Sequence, residues 1–402
     1  MQRPSILILP FHGIGHFNAL FGVARALSRS HNVIFAGVDY FSNHVNSHGF
    51  PYISLHSYPF GIGLEDWIHE TKKSKRVRLH AALDRWKDTL YYERHSELTE
   101  LLKDLEPVHV LIDSQQATDL IVIKSIDRAM KVSLVTVTPP YLLLPGLPPV
   151  NSLAMPGDGD KELRIKLNAI SKKRWKQRLK YGIDDRSVVN RRLRRNKLED
   201  LKDDYSSLIT FAAKNIDHYV LTYKAYDFHH PHLEKFKYVG PHVENESQPI
   251  KSAGKKLIYC ALGTVPSTRN VNAFFEKVKA AAKDLDCDLI IGSLGNWVDQ
   301  SEVLSRADVF ITHGGINSVH DAIRCKVPMI VYPVDMNYDQ QGNSSRVVHH
   351  GFGLRGDFDT ATTEDIRSKL LEIFNDLRFR KNLEAFDTSG YNIDNLIKMI
   401  LE

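Results

Sequence analysis

The chain has few cysteines for its length. Its 402 residues include only three, Cys260, Cys287 and Cys325. Three scattered cysteines cannot build a disulfide framework, and none belongs to the CxxC pair of a zinc site. We therefore expect the protein to fold in a reducing compartment.

Long hydrophobic runs are also missing. The N-terminal stretch MQRPSILILP contains an apolar run far shorter than the core of a signal peptide. No other stretch approaches the roughly 20 apolar residues that a helix needs to cross a bilayer. Together with the scarcity of cysteine, this predicts a cytoplasmic protein. The 43% hydrophobic content is nevertheless enough for two buried cores in a chain of this length.

The net charge is only +5, but one segment is strongly basic. Between residues 160 and 197, 15 Lys and Arg stand against 4 Asp and Glu, a local net charge of +11, so the rest of the chain sums to −6. The segment fits a solvated helical face, a weakly membrane-associated patch or a nucleic-acid site. The solvated face is the favoured interpretation, and nucleic acid is not expected as a partner.

The first 140 residues alternate strand and helix patterns. Apolar, β-branched runs predict strands at 5–10, 32–37, 51–55, 108–113 and 132–138. Helical spacing of apolar residues lies between these runs and covers most of 66–105. This alternation predicts right-handed βαβ units, that is, a parallel sheet with helices on both faces. The N-terminal half is therefore predicted to be Rossmann-like.

A second α/β alternation follows a polar segment that lacks aromatic residues. Strands are predicted at 257–262, 288–292 and 309–312, with helices between and after them. We predict four parts: an N-terminal domain (1–244), a linker (245–256), a C-terminal domain (257–390) and a C-terminal helix (391–402). The final helix is expected to pack back toward the N-terminal domain.

Residues 307–346 predict a ligand site. A buried strand at 309–312 is followed by the turn His313-Gly314-Gly315 and then by a helix that Asn317 or Ser318 could cap. A helix that starts just past the carboxyl end of a strand presents free N–H groups and the positive end of its dipole. The stretch therefore predicts a ligand that carries phosphate.

An ordered set of motifs runs through the C-terminal half: HGGINS (313–318), DA (321–322), VP (327–328), Pro333, DQ (339–340), Asn343, RV (346–347) and GFG (351–353). This set resembles the donor-binding signature of nucleotide-sugar glycosyltransferases of the plant, macrolide and glucuronosyl type, glycosyltransferase family 1. The resemblance implies the GT-B fold, in which two Rossmann-like domains face each other across a cleft. The N-terminal half matches only at GHFN and LID.

The resemblance also implies roles for individual residues in donor binding. It assigns His313 and Ser318 to the diphosphate, with Gly315 and Asn317 beside them at the helix start, and Thr264 near the phosphate or sugar. Trp297 would stack on the base, and Gln300 would contact the base edge. Asp321 takes the place of a family glutamate that holds the ribose, and Asp339 with Gln340 would bind the hydroxyls of the sugar.

His16 and Asp113 are the candidate catalytic residues. Transfer of a sugar to a hydroxyl needs a base for the acceptor proton, and histidine suits that role near neutral pH. The motif around His16 resembles the family's GHxNP, with Ala19 in place of proline, and Asp113 ends a strand where the family places the carboxylate that orients the histidine. His12 remains an alternative for the base.

These interpretations combine into one expected function. We expect an inverting, metal-independent hexosyltransferase that uses a UDP-sugar, expected to be UDP-glucose, without a cofactor. The acceptor would be a hydroxyl of a mainly apolar small molecule. Candidate walls of the acceptor pocket are Tyr58, Phe60, Trp67, Trp86, Tyr141 and Leu144.

Two other functions fit the same sequence. One is a glycosyltransferase that acts on a lipid acceptor at a membrane surface, and the other is a non-catalytic GT-B partner that activates a separate enzyme. The Asp158-Gly-Asp160 triplet mimics a metal-binding motif, but it lies in a loop rich in proline and glycine, so we predict no metal site.

Overall fold

The computed structural model describes residues 3–57, 62–203, 206–209, 211–241, 254–263, 270–293, 298–391 and 393–401. Within these residues the chain forms two parallel sheets with helices on their faces, which confirms the predicted α/β class. A helix long and apolar enough to span a bilayer is not found among them.

The N-terminal sheet has the strand order β3-β2-β1-β4-β5-β8-β9. Its first strands are β1 (Ser5–Leu9), β2 (Asn32–Gly37), β3 (Tyr52–Ser54), β4 (His109–Asp113) and β5 (Val132–Thr136). A short antiparallel pair, β6 (Leu142–Leu143) and β7 (Ser206–Ser207), precedes β8 (His218–Val220) and β9 (Lys237–Tyr238). The order changes direction between β1 and β4, and ligands of open α/β sheets bind at such a point.

Eight helices of the described chain accompany this sheet. They are α1 (Ile14–Leu27), α2 (Ser42–Ser47), α3 (Glu65–Thr71), α4 (Val77–Lys87), α5 (Thr89–Leu105), α6 (Thr118–Ile126), α7 (Gly159–Tyr181) and α8 (Asp185–Arg195). The basic segment therefore forms α7 and α8, two helices as its sequence pattern predicts.

The C-terminal sheet has the order β11-β10-β12-β13-β14. Its strands are β10 (Lys256–Ala261), β11 (Cys287–Gly292), β12 (Val309–Thr312), β13 (Met329–Val331) and β14 (Gly353–Arg355). The helices are α9 (Val271–Ala282), α10 (Gln300–Arg306), α11 (Ile316–Arg324), α12 (Gln340–His349), α13 (Thr363–Asn375), α14 (Arg378–Ala385) and α15 (Ile393–Leu401). Most of the predicted linker falls in 242–253, outside the described residues.

The central strands are buried on both faces, which explains their continuous apolar runs. Ile6 through Leu9 of β1 and Val110 through Ile112 of β4 are at most 1% exposed. Helices cover both sides of such strands, so neither face needs polar side chains. The carboxyl ends of β1 and β4 are thus fixed next to each other by a rigid core.

The last helix, α15, packs on α1. Leu396 and Ile400 are buried in the same cluster as Phe17 and Leu20. Tyr219 Oη donates to the carbonyl of Met399 over 2.7 Å, which secures the end of the helix to the N-terminal sheet. The chain therefore crosses twice between the two sheets, once after β9 and once before α15.

The two crossings lie against each other. Gly240, just after β9, has φ +74°, and a Cβ there would lie 2.5 Å from Cβ of Tyr391. Tyr391 Oη accepts a hydrogen bond from the amide N–H of Lys224 over 2.6 Å. Only glycine fits this backbone conformation and this close approach.

Two helix starts differ from the sequence prediction. Helix α11 begins at Ile316 with Gly315 as its N-cap residue, so the prediction that Asn317 or Ser318 caps it is wrong. The helix starts two residues earlier than a cap at Asn317 would place it, so the Asn317 side chain is available for another contact. Helix α1 begins at Ile14, five residues before Ala19, where the helical spacing of apolar residues in the sequence starts.

A buried ion pair supports the N-terminal domain. Arg94 on α5 donates from Nη2 to Asp119 Oδ2 over 2.6 Å and from Nε to Oδ1 over 3.2 Å. Both side chains are at most 2% exposed. Burial raises the pKa of Asp119 and Arg94 opposes that rise, so the carboxylate depends on its partner.

Removal of one partner of this pair should be costly. We expect Asp119→Ala to lower the free energy of unfolding by about 3–5 kcal/mol, because it removes the carboxylate that accepts two hydrogen bonds from buried Arg94 and leaves the longer 3.8 Å pair with Glu97. Asp200→Ala is the matched control: its pair with Arg128 spans 3.2 Å and both side chains are more than half exposed, so we expect about 1 kcal/mol or less. Urea unfolding of both variants measures the difference, and equal losses would contradict the role of the pair.

Candidate active site

His16 and Asp113 meet at the carboxyl edge of the N-terminal sheet. Strands β1 and β4 are neighbours with Leu9 opposite Ile112, so the residues that follow them are side by side. His16 lies in the first turn of α1, and Asp113 ends β4. His16 Nδ1 is 2.7 Å from Asp113 Oδ2, and the two side chains are 15% and 1% exposed.

Asp113 is held by two hydrogen bonds. Its Oδ1 accepts from the amide N–H of Gln115 over 2.9 Å, and its Oδ2 faces His16 Nδ1. A carboxylate at Nδ1 favours the tautomer with the proton on Nδ1, which leaves the lone pair on Nε2. Nε2 of His16 can therefore accept a proton as a general base.

Gln115 and Tyr141 form the immediate surroundings of His16 Nε2. The Gln115 side-chain amide lies 3.5 Å from His16 Nε2 and donates to Tyr141 Oη over 2.9 Å. Burial raises the pKa of Tyr141, so its hydroxyl stays protonated. The sequence reasoning missed Gln115, although its position two residues after Asp113 is a signal that a turn brings it back to the carboxylate.

His12, the alternative base, is in a different environment. Burial, with a smaller contribution from the nearby Arg94, lowers its pKa to about 4. Its ring stacks against Phe11 at a centroid distance of 5.8 Å. Asp113 Oδ2 lies against His16 Nδ1, so the geometry favours His16 as the base.

On the opposite side of the cleft, the turn after β12 has little free space. Gly314 has φ +85°, and a Cβ on Gly315 would lie 2.5 Å from His313 Nε2. Gly263, with φ +80°, would place a Cβ 2.7 Å from the same ring. Burial lowers the pKa of His313 to about 4, so its ring is neutral at neutral pH. Two glycines thus make room for the imidazole beside the start of α11.

Asn317 links the two halves of the site. Its Nδ2 donates to the carbonyl of Gly15, the residue before His16, over 2.8 Å. The two partners are 302 positions apart in the chain. This bond places the first turn of α11 directly beside the first turn of α1, so the free N–H groups of one helix lie next to the histidine of the other.

Asp339 and Gln340 lie at the start of α12, close to the same turn. Asn343 donates from Nδ2 to Asp339 Oδ2 over 2.6 Å and to the carbonyl of Gly314 over 2.8 Å. Burial raises the pKa of Asp339, while Asn343, the N–H of Ile316 and nearby His16 lower it. Asn343 is part of the sequence motif, and its spacing of four residues from Asp339 indicates that the two side chains can meet on one helix face.

Gln340 shapes the preceding loop. Its Oε1 accepts from the amide N–H groups of Val334 and Asp335, each over 2.8 Å. Because both lone pairs of the oxygen are used, the side-chain nitrogen is the group left to contact a ligand.

A second cluster of polar side chains consists of Ser318 and Asp321 on α11 and Gln300 at the start of α10. Gln300 Nε2 donates to Asp321 Oδ2 over 2.7 Å and lies 3.5 Å from Ser318 Oγ. Asp321 Oδ1 accepts from Arg324 Nη2 over 3.2 Å. Burial raises the pKa of Asp321, and Arg324 and Gln300 oppose that rise. The structure thus brings together three of the residues that the resemblance assigns to the donor: Gln300 to the base, Asp321 to the ribose and Ser318 to the diphosphate.

Four predicted site residues lie outside the described chain: Tyr58, Phe60, Thr264 and Trp297. Trp67 and Trp86 are 51% and 56% exposed, and Trp86 Nε1 donates to the carbonyl of Tyr181 over 2.8 Å. Leu144 is buried in a small cluster with Phe228. These placements put Trp67 and Trp86 on an outer surface and Leu144 in packing, and of the predicted pocket walls that the structure describes, Tyr141 alone is in contact with the surroundings of His16.

A small cavity lies beside Gln115 instead. It has a volume of about 60 Å³. Its walls include Ile62, Ser114, Ala117, Ile209 and Phe211. Ser114 Oγ is buried, and within the described part of the chain it has no hydrogen-bond partner. The lining is mixed, since polar side chains stand beside the apolar ones, and the volume is well below the roughly 300 Å³ of a typical ligand pocket, so the cavity can hold only a small part of a ligand.

The region of Asp158 does not gather metal ligands. Asp160 Oδ1 accepts from the amide N–H of Gly146 over 2.7 Å, so it fastens a loop to the start of α7. Among the described residues, no group of three or more His, Cys, Asp or Glu side chains is arranged to hold a metal ion.

Comparison with known proteins agrees with this geometry. Residues 250–389 match the model of the UDP-glucoronosyl and UDP-glucosyl transferase family. The zeaxanthin glucosyltransferase of Pantoea ananas is 28% identical over 179 residues, which cover 38% of this chain and 40% of that protein. UDP-glucuronosyltransferase 3A1 of Homo sapiens is 28% identical over 190 residues, 40% of this chain and 36% of that protein. The match therefore spans less than half of either relative.

Solved structures match the whole chain. The glycotransferase of kitacinnamycin has a TM-score of 0.69 at 18% identity and covers 100% of this chain and 99% of its own. The spinosyn rhamnosyltransferase SpnG complexed with thymidine diphosphate has a TM-score of 0.57 at 15% identity and covers 100% and 97%.

These structural matches establish a GT-B fold of two Rossmann-like domains. Residues 250–389 of the C-terminal half thus resemble the UDP-glucoronosyl and UDP-glucosyl transferase family, and the chain spans less than half the length of the curated relatives it matches.

Proposed function

We propose that the protein transfers a hexose from a UDP-sugar, with UDP-glucose as the expected donor, to a hydroxyl of a mainly apolar small molecule. The reaction inverts the anomeric centre and needs no metal. The observation that supports this most directly is the hydrogen bond from Asn317 to the carbonyl of Gly15, which sets the donor helix α11 beside the His16–Asp113 pair.

The base acts at His16 Nε2. The acceptor oxygen attacks the anomeric carbon while its proton passes to Nε2, and the bond between that carbon and the diphosphate oxygen breaks. UDP leaves with the electron pair, and Asp113 stabilises the imidazolium that forms. Attack from the face opposite the leaving group inverts the configuration, through a transition state with oxocarbenium character.

The diphosphate is proposed to lie at the start of α11. The N–H groups of its first turn have no partner inside the helix, and the helix dipole favours negative charge there. Ser318 adds a hydroxyl, and His313 lines the turn. These groups offset the charge of the leaving diphosphate, which is why we propose transfer without a divalent cation.

The acceptor is proposed to enter from the side of Gln115. The side chains of Ile62, Ile209 and Phe211 would contact the part of the acceptor nearest its reacting hydroxyl, while Ser114 and Gln115 would orient that hydroxyl toward His16. The name of the zeaxanthin relative denotes an apolar acceptor, and the spinosyn relative was solved with thymidine diphosphate. The identity of the nucleotide base in the donor is therefore the part of the proposal that most needs a direct test.

The test is a transfer assay followed by mass spectrometry. UDP- and TDP-linked glucose are each offered with a mixed library of phenols, terpenoids and macrolides, with and without a chelator. We expect product from UDP-glucose, unchanged by the chelator, with an anomeric configuration opposite to that of the donor by NMR. A retained configuration would contradict the mechanism, and loss of product with the chelator would contradict metal independence.

A further inference from the structure

The long helix α7 keeps one face exposed along its whole length. Leu163 and Tyr181 are buried on its inner side. On the opposite side Ile165, Trp175 and Leu179 are 50%, 62% and 69% exposed. With 3.6 residues per turn, these three side chains project from the same outward face.

Cations alternate with these apolar side chains. Lys161, Arg164, Lys172 and Lys176 project from the same face and are exposed. Among the described residues none of the four takes part in an ion pair, and no Asp or Glu occurs between Leu163 and Ile183. The outward face therefore combines apolar area with unbalanced positive charge.

The acidic residues near α7 are already engaged by other groups. Asp66 accepts from Lys180 and from Tyr181 Oη. Asp184 pairs with Arg178, while Asp185 lies 3.5 Å from Lys173 and Glu162 lies 3.7 Å from Lys166. None of these acids offsets the four cations of the outward face.

The adjoining helix α4 extends the apolar surface. Leu79, Leu83 and Trp86 are 49%, 44% and 56% exposed, and their spacing of four and three residues puts them on one stripe. Trp86 is joined to the end of α7 through its hydrogen bond to the carbonyl of Tyr181. Helix α4 therefore adds an exposed apolar stripe next to the end of α7.

We propose that the outward face of α7 docks on a bilayer that contains anionic phospholipid. A helix that lies on a membrane has aliphatic and Trp side chains between Lys and Arg, so that the apolar groups enter the headgroup region and the cations meet lipid phosphates. Ile165 and Leu179 favour this partner over nucleic acid, because aliphatic side chains gain little against a phosphate backbone.

Docking would bring the acceptor side of the active site near the membrane surface. Gly159 at the start of α7 packs against the backbone of 146–148, and Lys166 Nζ donates to the carbonyl of Asn151 over 2.8 Å. The loop between β5 and α7 is thus attached to the docking helix. An apolar acceptor concentrates in the bilayer, so it would meet the enzyme at the membrane surface.

The test is co-sedimentation of the full chain with vesicles. Phosphatidylcholine vesicles are compared with vesicles of phosphatidylcholine and phosphatidylserine in roughly a 2:1 ratio. We expect binding only to the anionic vesicles, lost at high salt and weakened at least about tenfold by Lys172→Glu with Lys176→Glu. Lys103→Glu with Lys381→Glu is the matched control, since it changes the net charge equally at exposed sites on other helices.

Further measurements separate the outcomes. Trp175→Ala should weaken vesicle binding, while Leu377→Ala, which removes a side chain 65% exposed on the C-terminal domain, should not. Thermal melts verify that each variant folds. Equal losses in both charge-reversed pairs would overturn the proposal, as would salt-sensitive binding to an oligonucleotide without binding to vesicles. The sugar transfer assay is independent of these results, so failure of docking leaves the proposed reaction standing.

Discussion

Replacement of His16 by alanine is expected to slow sugar transfer on the order of 10²–10⁴-fold and to leave UDP binding unchanged. The variant lacks the group that accepts the acceptor proton, whereas the start of α11 and the turn at His313 are intact. Turnover is measured by mass spectrometry, and UDP binding by calorimetry. Turnover and UDP binding are measured separately because a misfolded variant would lose both.

Two further variants test the same site. Asp113→Asn should also lower the turnover rate, because the amide keeps the shape of the carboxylate but no longer stabilises an imidazolium. His80→Ala, at an exposed position on α4, is the control and should behave like the parent. A His16→Ala enzyme that turns over as fast as the parent would rule out this base.

Gly315→Ala is expected to weaken donor binding strongly. The added methyl group would lie 2.5 Å from His313 Nε2, a distance that carbon and nitrogen do not tolerate, so the imidazole or the turn must move. A shift of about 1 Å in a preorganised site can cost on the order of 100-fold. Titration with UDP should show a dissociation constant raised at least about 100-fold.

The cause of this loss can be isolated by a double-mutant cycle. If the methyl group acts by displacing His313, then Gly315→Ala should add little to the loss already caused by His313→Ala, so the two effects will not sum. Gly390→Ala is the matched control, because a Cβ there meets nothing within 4 Å. Additive losses would mean that the methyl group disturbs the site without involving His313.

Patterns along the chain predicted the strands well. The bounds of β2 and β12 agree with the predicted strands at 32–37 and 309–312, because a buried parallel strand is apolar on both faces. The approach of His16 to Asp113 was also predictable, since both residues follow strands whose carboxyl ends share one edge of the sheet.

Contacts between side chains far apart in sequence were not predictable in the same way. The local sequence around Asn317 predicts a helix cap, and only the packing of the two domains shows that its side chain reaches Gly15, 302 positions away. Trp86 reads as a pocket wall because it is large and apolar, yet it lies 56% exposed against the end of α7. Local patterns specify elements, but the packing of those elements decides which side chain faces a ligand.

The contact between Gly240 and Tyr391 restricts how the two domains can move. Two separate crossings would allow the domains to shear or twist, whereas crossings in contact, together with the buried ion pair between Arg346 and Asp227, limit the motion to a hinge. Motion about that hinge would change the separation of the domains at the bond between Asn317 and Gly15. Opening of the site for product release would break this hydrogen bond, while the contact of Gly240 with Tyr391 and the packing of α15 on the N-terminal domain would be kept.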